Sequence, residues 1–193
     1  MKIILATTSP YRRKAFKELG LQFSVAESKA KENFPNRPND PKKLVKMLAR
    51  IKAEAVAKRY PNDFVIGCDS VGCFGGKIFE KPKSRKEEFE RLKMLSGKIF
   101  SFYTGVCALK LDRKIILERV VETKEKMRKI SDMEIKKYLG QDPNFNTYAM
   151  GFDPCKHYSS TFVKSINGSH NNFLLGFPME DIMEMLFEMG YTL

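Results

Sequence analysis

The chain has 193 residues, 42% hydrophobic and 30% charged, with 35 Lys and Arg against 23 Asp and Glu for a net charge of +12. That balance is enough to bury the core of one domain spanning residues 1–193, and it excludes a disordered, fibrous or low-complexity chain. No apolar run approaches the ~20 residues needed to cross a bilayer, and the apolar start Ile3–Ala6 is too short for a secretory signal, so the sequence predicts a soluble, cytoplasmic protein.

Lys2–Ala6 reads as a short buried strand. Ser9-Pro10 then opens a helix over Tyr11–Leu19, with Ser as N-cap, Pro at the first helical position and Gly20 closing it. Leu21–Ala26 reads as a second strand, and the proline-punctuated stretch from Glu27 to Pro41 as a loop. Leu44, Val45, Leu48, Ile51, Ala55 and Val56 fall at helical spacing within Lys42–Arg59. Asp63–Asp69 predicts a buried strand ending in an acid, followed by a hairpin in which Gly75-Gly76 turns Val71–Phe74 onto Lys77–Phe79. Ser84–Leu95 and Ser131–Leu139 read as helices, each with a Ser and a following Glu (Glu87, Glu134) at capping-box spacing. Between them, Phe100–Leu111 and Ile115–Lys126 are long strands. Gly140–Tyr158 is loop-rich and would separate two lobes; Phe162–Ile166 and Asn172–Leu175 read as short strands, and Glu180–Met189 as a last helix. The mixture predicts an α/β fold with a mixed sheet and no internal repeat.

The positive charge is concentrated at the start. Residues 1–60 hold 15 Lys and Arg against 5 Asp and Glu, whereas residues 161–193 hold one Lys against four acids. Either an anionic partner or a solvated lysine-rich surface accounts for this. The four cysteines (68, 73, 107, 155) form no C-x-x-C pair and only two histidines are present, which argues against a zinc site and for a reducing compartment.

Ser9-Pro10-Tyr11-Arg12-Arg13 places two guanidinium groups in a first helical turn, where they oppose the helix dipole unless an anion binds. A capped helix with exposed arginines is the plainer alternative. Asp69 would serve as a general base or metal ligand, or merely initiate the turn. Lys81, stiffened by Pro82, Lys52 on its amphipathic helix and Glu32 in the polar loop each have a phosphate- or metal-binding reading beside a solvated one. Walker, dinucleotide-binding and serine-hydrolase motifs are missing.

In series, LATTSPYRR (5–13), RIKAEAVAKRYPNDFVIGCDSV (50–71), GKIFEKP (76–82), LSGKIFSFYTGVCAL (95–109) and LLGFP (174–178) resemble the Maf family of nucleoside triphosphate pyrophosphatases across nearly the full chain. The resemblance implies an elongated mixed β-sheet flanked by helices, two lobes with a cleft, and often a homodimer. It implies hydrolysis of the α–β phosphoanhydride of a nucleoside triphosphate to the monophosphate and pyrophosphate, with a divalent cation, Mg2+ or Mn2+. Asp69 would accept the proton of the attacking water, and Asp69 and Glu32 would carry the metal. Arg12, Arg13, Lys52 and Lys81 would clamp phosphates, and Ser9 would bind through its hydroxyl or helix end.

The resemblance divides over the base. Tyr11 is similar to the aromatic residue of the 7-methyl-GTP branch, whose ring would stack on a cationic purine. The dTTP/UTP branch has Arg there. Ser70 matches neither branch, and the polar residue expected near Thr147–Pro154 is taken to fall on Gly151, with Asn144, Asn146 or Asp153 as replacements. A nucleic-acid-binding protein is the competing class; no recognition motif supports it. A catalytically weak, nucleotide-binding regulator is a third.

Overall fold

The computed structural model describes residues 1–193. Its framework is one seven-stranded mixed sheet in the order β2-β1-β3-β5-β6-β7, with β4 paired to β3 beside β1. The strands are β1 (Ile3–Ala6), β2 (Phe23–Val25), β3 (Phe64–Phe74), β4 (Lys77–Phe79), β5 (Ile99–Lys110), β6 (Ile115–Met127) and β7 (Val163–Asn167). The helices are α1 (Pro10–Glu18), α2 (Pro41–Ala57), α3 (Arg85–Leu95), α4 (Asp132–Gln141), α5 (His170–Leu175) and α6 (Met179–Glu188). β1 runs parallel to β2 and β3, with α1 and α2 as crossovers, and the remaining pairs are antiparallel.

One face of the sheet carries α2. Its stripe of Leu44, Val45, Leu48, Ala49, Ala53 and Val56 packs on Val65, Val71, Tyr103 and Cys107. The approach is close because Gly67 and Gly105 present no side chain: a Cβ at Gly67 would fall 2.3 Å from the Ala49 carbonyl, and one at Gly105 would fall 2.2 Å from that of Val45. The opposite face carries two cores at the two ends of β5. Val106 and Ala108 pack with α1 and α6 in the first, and Phe100 and Phe102 pack with α3, α4, Met127, Met150 and Phe152 in the second. Thr104 lies between them on that face. These two cores are the two lobes.

Several local expectations change. Asp63–Asp69 and Val71–Phe74 are one continuous strand, so Asp69 sits inside β3 rather than at its end. Asn172–Leu175 belongs to helix α5: Ser169 accepts the Asn172 N–H as an N-cap, and Asn172 turns inward to donate to Thr123 Oγ1 at 3.0 Å. The Ser131–Glu134 capping box forms. At α3, Ser84 caps the helix, but the Glu87 carboxylate takes the Lys83 N–H and pairs with Arg91, leaving the box half made. Within Gly140–Tyr158, α4 runs on to Gln141 and a 3-10 turn forms at Phe145–Thr147.

Candidate active site

β3 is covered on one side by β5 along Val65–Cys73. On its other side, β1 pairs only as far as Gly67 and β4 begins only at Gly72. Residues 68–71 therefore have no strand partner on that edge. The gap opens between the two lobes, and a cavity of about 830 Å³ occupies it.

Arg12 enters this gap. Its Nε donates to the Gly176 carbonyl at 3.0 Å, Nη1 to the Cys68 carbonyl at 2.8 Å and Nη2 to Ser70 Oγ at 2.7 Å. The guanidinium thus supplies the donor that a neighbouring strand would have given Cys68, and it ties α1 to β3 and to the turn after α5. Ser70 Oγ also shares a hydrogen bond with Thr104 Oγ1 at 2.7 Å.

Asp69 is 9% exposed, and with Ser70 it lines the cavity from the opposite side of the strand. Lys52 comes down on it from α2. The helical repeat puts Lys52 in the same stripe as Leu48, Ala49 and Val56, an apolar register that buries most of its stem. Its Nζ lies 2.5 Å from Asp69 Oδ1 and 3.0 Å from Glu32 Oε2. Burial pushes the Asp69 carboxyl above the ordinary carboxylate range, and the Lys52 charge and hydrogen bond pull it back.

Ser9, Tyr11, Arg12, Glu32, Lys52, Asp69, Ser70 and Lys81 all line the one cavity. Ser9 Oγ is spent capping α1, accepting the Arg12 N–H at 3.4 Å. Lys81 is exposed at the rim, beside Glu80, whose carboxylate is held below its usual range by hydrogen bonds from Arg37. Two expected residues lie off the wall. Arg13 is not on the wall and donates instead to the Thr8 carbonyl at 2.9 Å. Gly151 has a φ of +78°, and a Cβ there would lie 2.0 Å from the Glu88 carboxyl carbon. The polar side chains on the cavity at this place are Asn144, Thr147 and Asp153, the last 8% exposed and paired with Lys156 at 3.1 Å, whereas Asn146 is not on the wall.

The residues present suit a small hard cation. No cluster of three or more His, Cys, Asp and Glu side chains forms, but Asp69 and Glu32 converge on one point, now held by the Lys52 ammonium. Two carboxylates completed by phosphate oxygens and water are a donor set that Mg2+ accepts.

A family model for Maf-like proteins matches residues 2–189. The chain belongs to the Maf-like protein family. Among its curated relatives, a dTTP/UTP pyrophosphatase of Clostridium botulinum (strain Okra / Type B1) is 34% identical over 99% of this chain and 98% of its own length. A dTTP/UTP pyrophosphatase of Fusobacterium nucleatum is 32% identical over 99% and 97%. Among solved structures, the Staphylococcus aureus Ham1 protein aligns with 66% of this chain and 72% of its own at TM-score 0.48 and 16% identity.

Sequence reasoning missed Glu125, which also lines the cavity. The signal was present: in Thr123-Lys-Glu-Lys-Met127, strand alternation puts Thr123, Glu125 and Met127 on one face, and the two lysines on the other.

Proposed function

We propose that this chain is a nucleoside triphosphate pyrophosphatase that hydrolyses the α–β phosphoanhydride. The observation that carries the reading is the Glu32–Lys52–Asp69 cluster at one end of a cavity sized for a small molecule rather than a nucleic-acid duplex. Family membership and the names of the relatives support it.

In this reading Asp69 holds the attacking water and takes its proton as the water oxygen bonds to the α-phosphorus. The bond to the bridging oxygen breaks, and pyrophosphate leaves. Its raised proton affinity suits that task. Lys52 and Lys81 offset the phosphate charge, since phosphoryl transfer depends on positioning and neutralisation more than on covalent help. Asp69 and Glu32 would hold Mg2+ or Mn2+, which supplies further neutralisation and polarises a phosphate oxygen. Arg12 acts by keeping the gap in β3 open and its edge satisfied. The homodimer and the cytoplasmic setting that the sequence predicts are part of the proposal. Four free cysteines, two of them buried, suit a reducing compartment, and no helix is long and apolar enough to cross a membrane.

For the base we take UTP and dTTP first. The Tyr11 ring is already engaged: Tyr148 lies 5.2 Å away, centroid to centroid, and Lys156 Nζ lies 5.4 Å over it. A cation in that place opposes a second cation on the substrate. An aromatic Tyr11 on the cavity wall remains the observation favouring 7-methyl-GTP as a second reading.

The test is pyrophosphate release from UTP, dTTP, CTP, GTP, ATP and 7-methyl-GTP with magnesium or manganese. Release from UTP and dTTP in preference to the others is expected. A folded protein that releases none from any nucleotide refutes the hydrolase, and preference for 7-methyl-GTP reverses the order of the two readings.

A further inference from the structure

Glu125 is 1% exposed, yet it belongs to the wall of the cavity. Its cross-strand partners are Phe100 on β5 and the exposed Ile166 on β7, and the next inward residue on β6 is Met127; Phe100 and Met127 are sealed in the second core. Phe102, Met150 and Phe152 of that core line the same cavity. Glu125 Oε1 has no hydrogen-bond partner. Two residues away on the same face, Thr123 receives Asn172 Nδ2 at 3.0 Å and donates to the Ser169 carbonyl, so the neighbouring polar group is satisfied within the fold. A buried carboxyl without a partner is costly, and a Val or Leu would fill a core position without that cost.

The register sets how far Glu125 stands from the proposed chemistry. Asp69 pairs with Gly105, and Gly105 with Val120. Glu125 lies further along β6, about 17 Å along the strands and about 10 Å across them from Asp69. One cavity joins the two positions through the open edge of β3, giving it a charged end and an aromatic end.

We infer that Glu125 is a specificity-determining residue whose carboxyl pairs with the edge of the substrate's base, one donor and one acceptor on a neutral pyrimidine of the uracil or thymine type. This rests on the pyrophosphatase reading for the phosphate end. Burial, with no cation to oppose it, pushes the Glu125 carboxyl well above the ordinary carboxylate range and favours the protonated form. That form sets an O–H donor beside a C=O acceptor, the complement of an N–H beside a carbonyl.

The experiment compares wild type, Glu125→Val and Glu125→Gln. Relative kcat/KM is measured for UTP, dTTP, CTP, GTP and 7-methyl-GTP, and calorimetry follows UMP and dTMP binding without turnover. Val should lower kcat/KM for UTP and dTTP roughly 10–100-fold against the other nucleotides and weaken UMP and dTMP binding in step. Gln also offers a donor beside an acceptor and should keep the wild-type ranking. An unchanged ranking in the Val variant, or an equal loss for every nucleotide, overturns the inference. A Gln variant as impaired as Val overturns the neutral pairing. If wild type binds UMP and dTMP in a Glu125-dependent way but releases no pyrophosphate, the hydrolase reading fails and the base contact stands. Should Val fail to fold, Glu125→Leu makes the same comparison.

Discussion

Two carboxyl groups line one cavity under opposite conditions. Asp69 is sealed between β3 and α2, but a lysine reaches it, and Glu32 stands on the far side of that lysine. Glu125 is buried more deeply, with one oxygen unpartnered and no cation paired to it. Burial raises both, but only at Asp69 does a counter-charge act against it. The charged end is balanced within the protein before any ligand arrives, so it can exchange one set of ionic partners for another at little cost. At the aromatic end one oxygen of Glu125 has no partner among the protein's own groups. An end of the first kind suits a polyphosphate and its counter-ion; an end of the second kind suits recognition of a base.

The sharpest way to break this contrast is Asp69→Asn. If Asp69 takes the proton from water, kcat should fall roughly 10²–10⁴-fold. The fall should be the same for every nucleotide hydrolysed, because the charged end does not touch the base. Steady-state pyrophosphate release across the panel measures both. A near-normal rate removes Asp69 from the chemistry, and a changed ranking would mean that the two ends are not separate.

Arg12→Lys tests the partition between the ends. A lysine cannot make the three divergent bonds to Cys68, Ser70 and Gly176 that the guanidinium makes. Leaving part of that set unmade should cost about 1–3 kcal/mol in denaturant unfolding. The rate should fall for all nucleotides together, since the β3 edge frames both ends. Unchanged stability would mean that these three bonds do not hold the fold, leaving Arg12 free for the phosphate role that the sequence suggests.

Much of the fold could be read from the chain because its signals are local. Ser9-Pro10, Ser84 and Ser131 mark helix starts by capping chemistry, and the hydrophobic spacing over Leu44–Val56 marks the face of α2. Asn172–Leu175 reads as a strand because so short a window carries no period, and the Ser169 cap that decides it lies outside that window. The charged end was legible through the family's motifs. For Arg12 the chain suggests a phosphate contact; what its chain neighbours cannot reveal is that Cys68, Ser70 and Gly176 come within reach of its guanidinium in the folded protein. Gly151 reads as part of the wall for a similar reason: the Glu88 carboxyl that fills the space behind it comes from α3, far away in the chain. Glu125 belongs to a strand whose alternation was visible, but an inward-facing acid gains meaning only once the surrounding side chains are known to be aromatic and the cavity is known to reach it.

The aromatic end should also show a pH dependence of stability. The folded state raises the Glu125 carboxyl above its unfolded value of about 4.3. Between those two values the native state therefore holds a proton that the unfolded state has released, and stability falls as pH rises through that window. Glu125→Gln has no proton to lose. Its stability should gain on wild type from about pH 5 upward, by at most about 1.4 kcal/mol per pH unit, and the difference should become constant below about pH 4. Urea unfolding of the two proteins at pH 4, 6 and 8 measures it. If wild type keeps pace with Gln across that range, the carboxylate has a partner in solution, and the aromatic end is as balanced as the charged one.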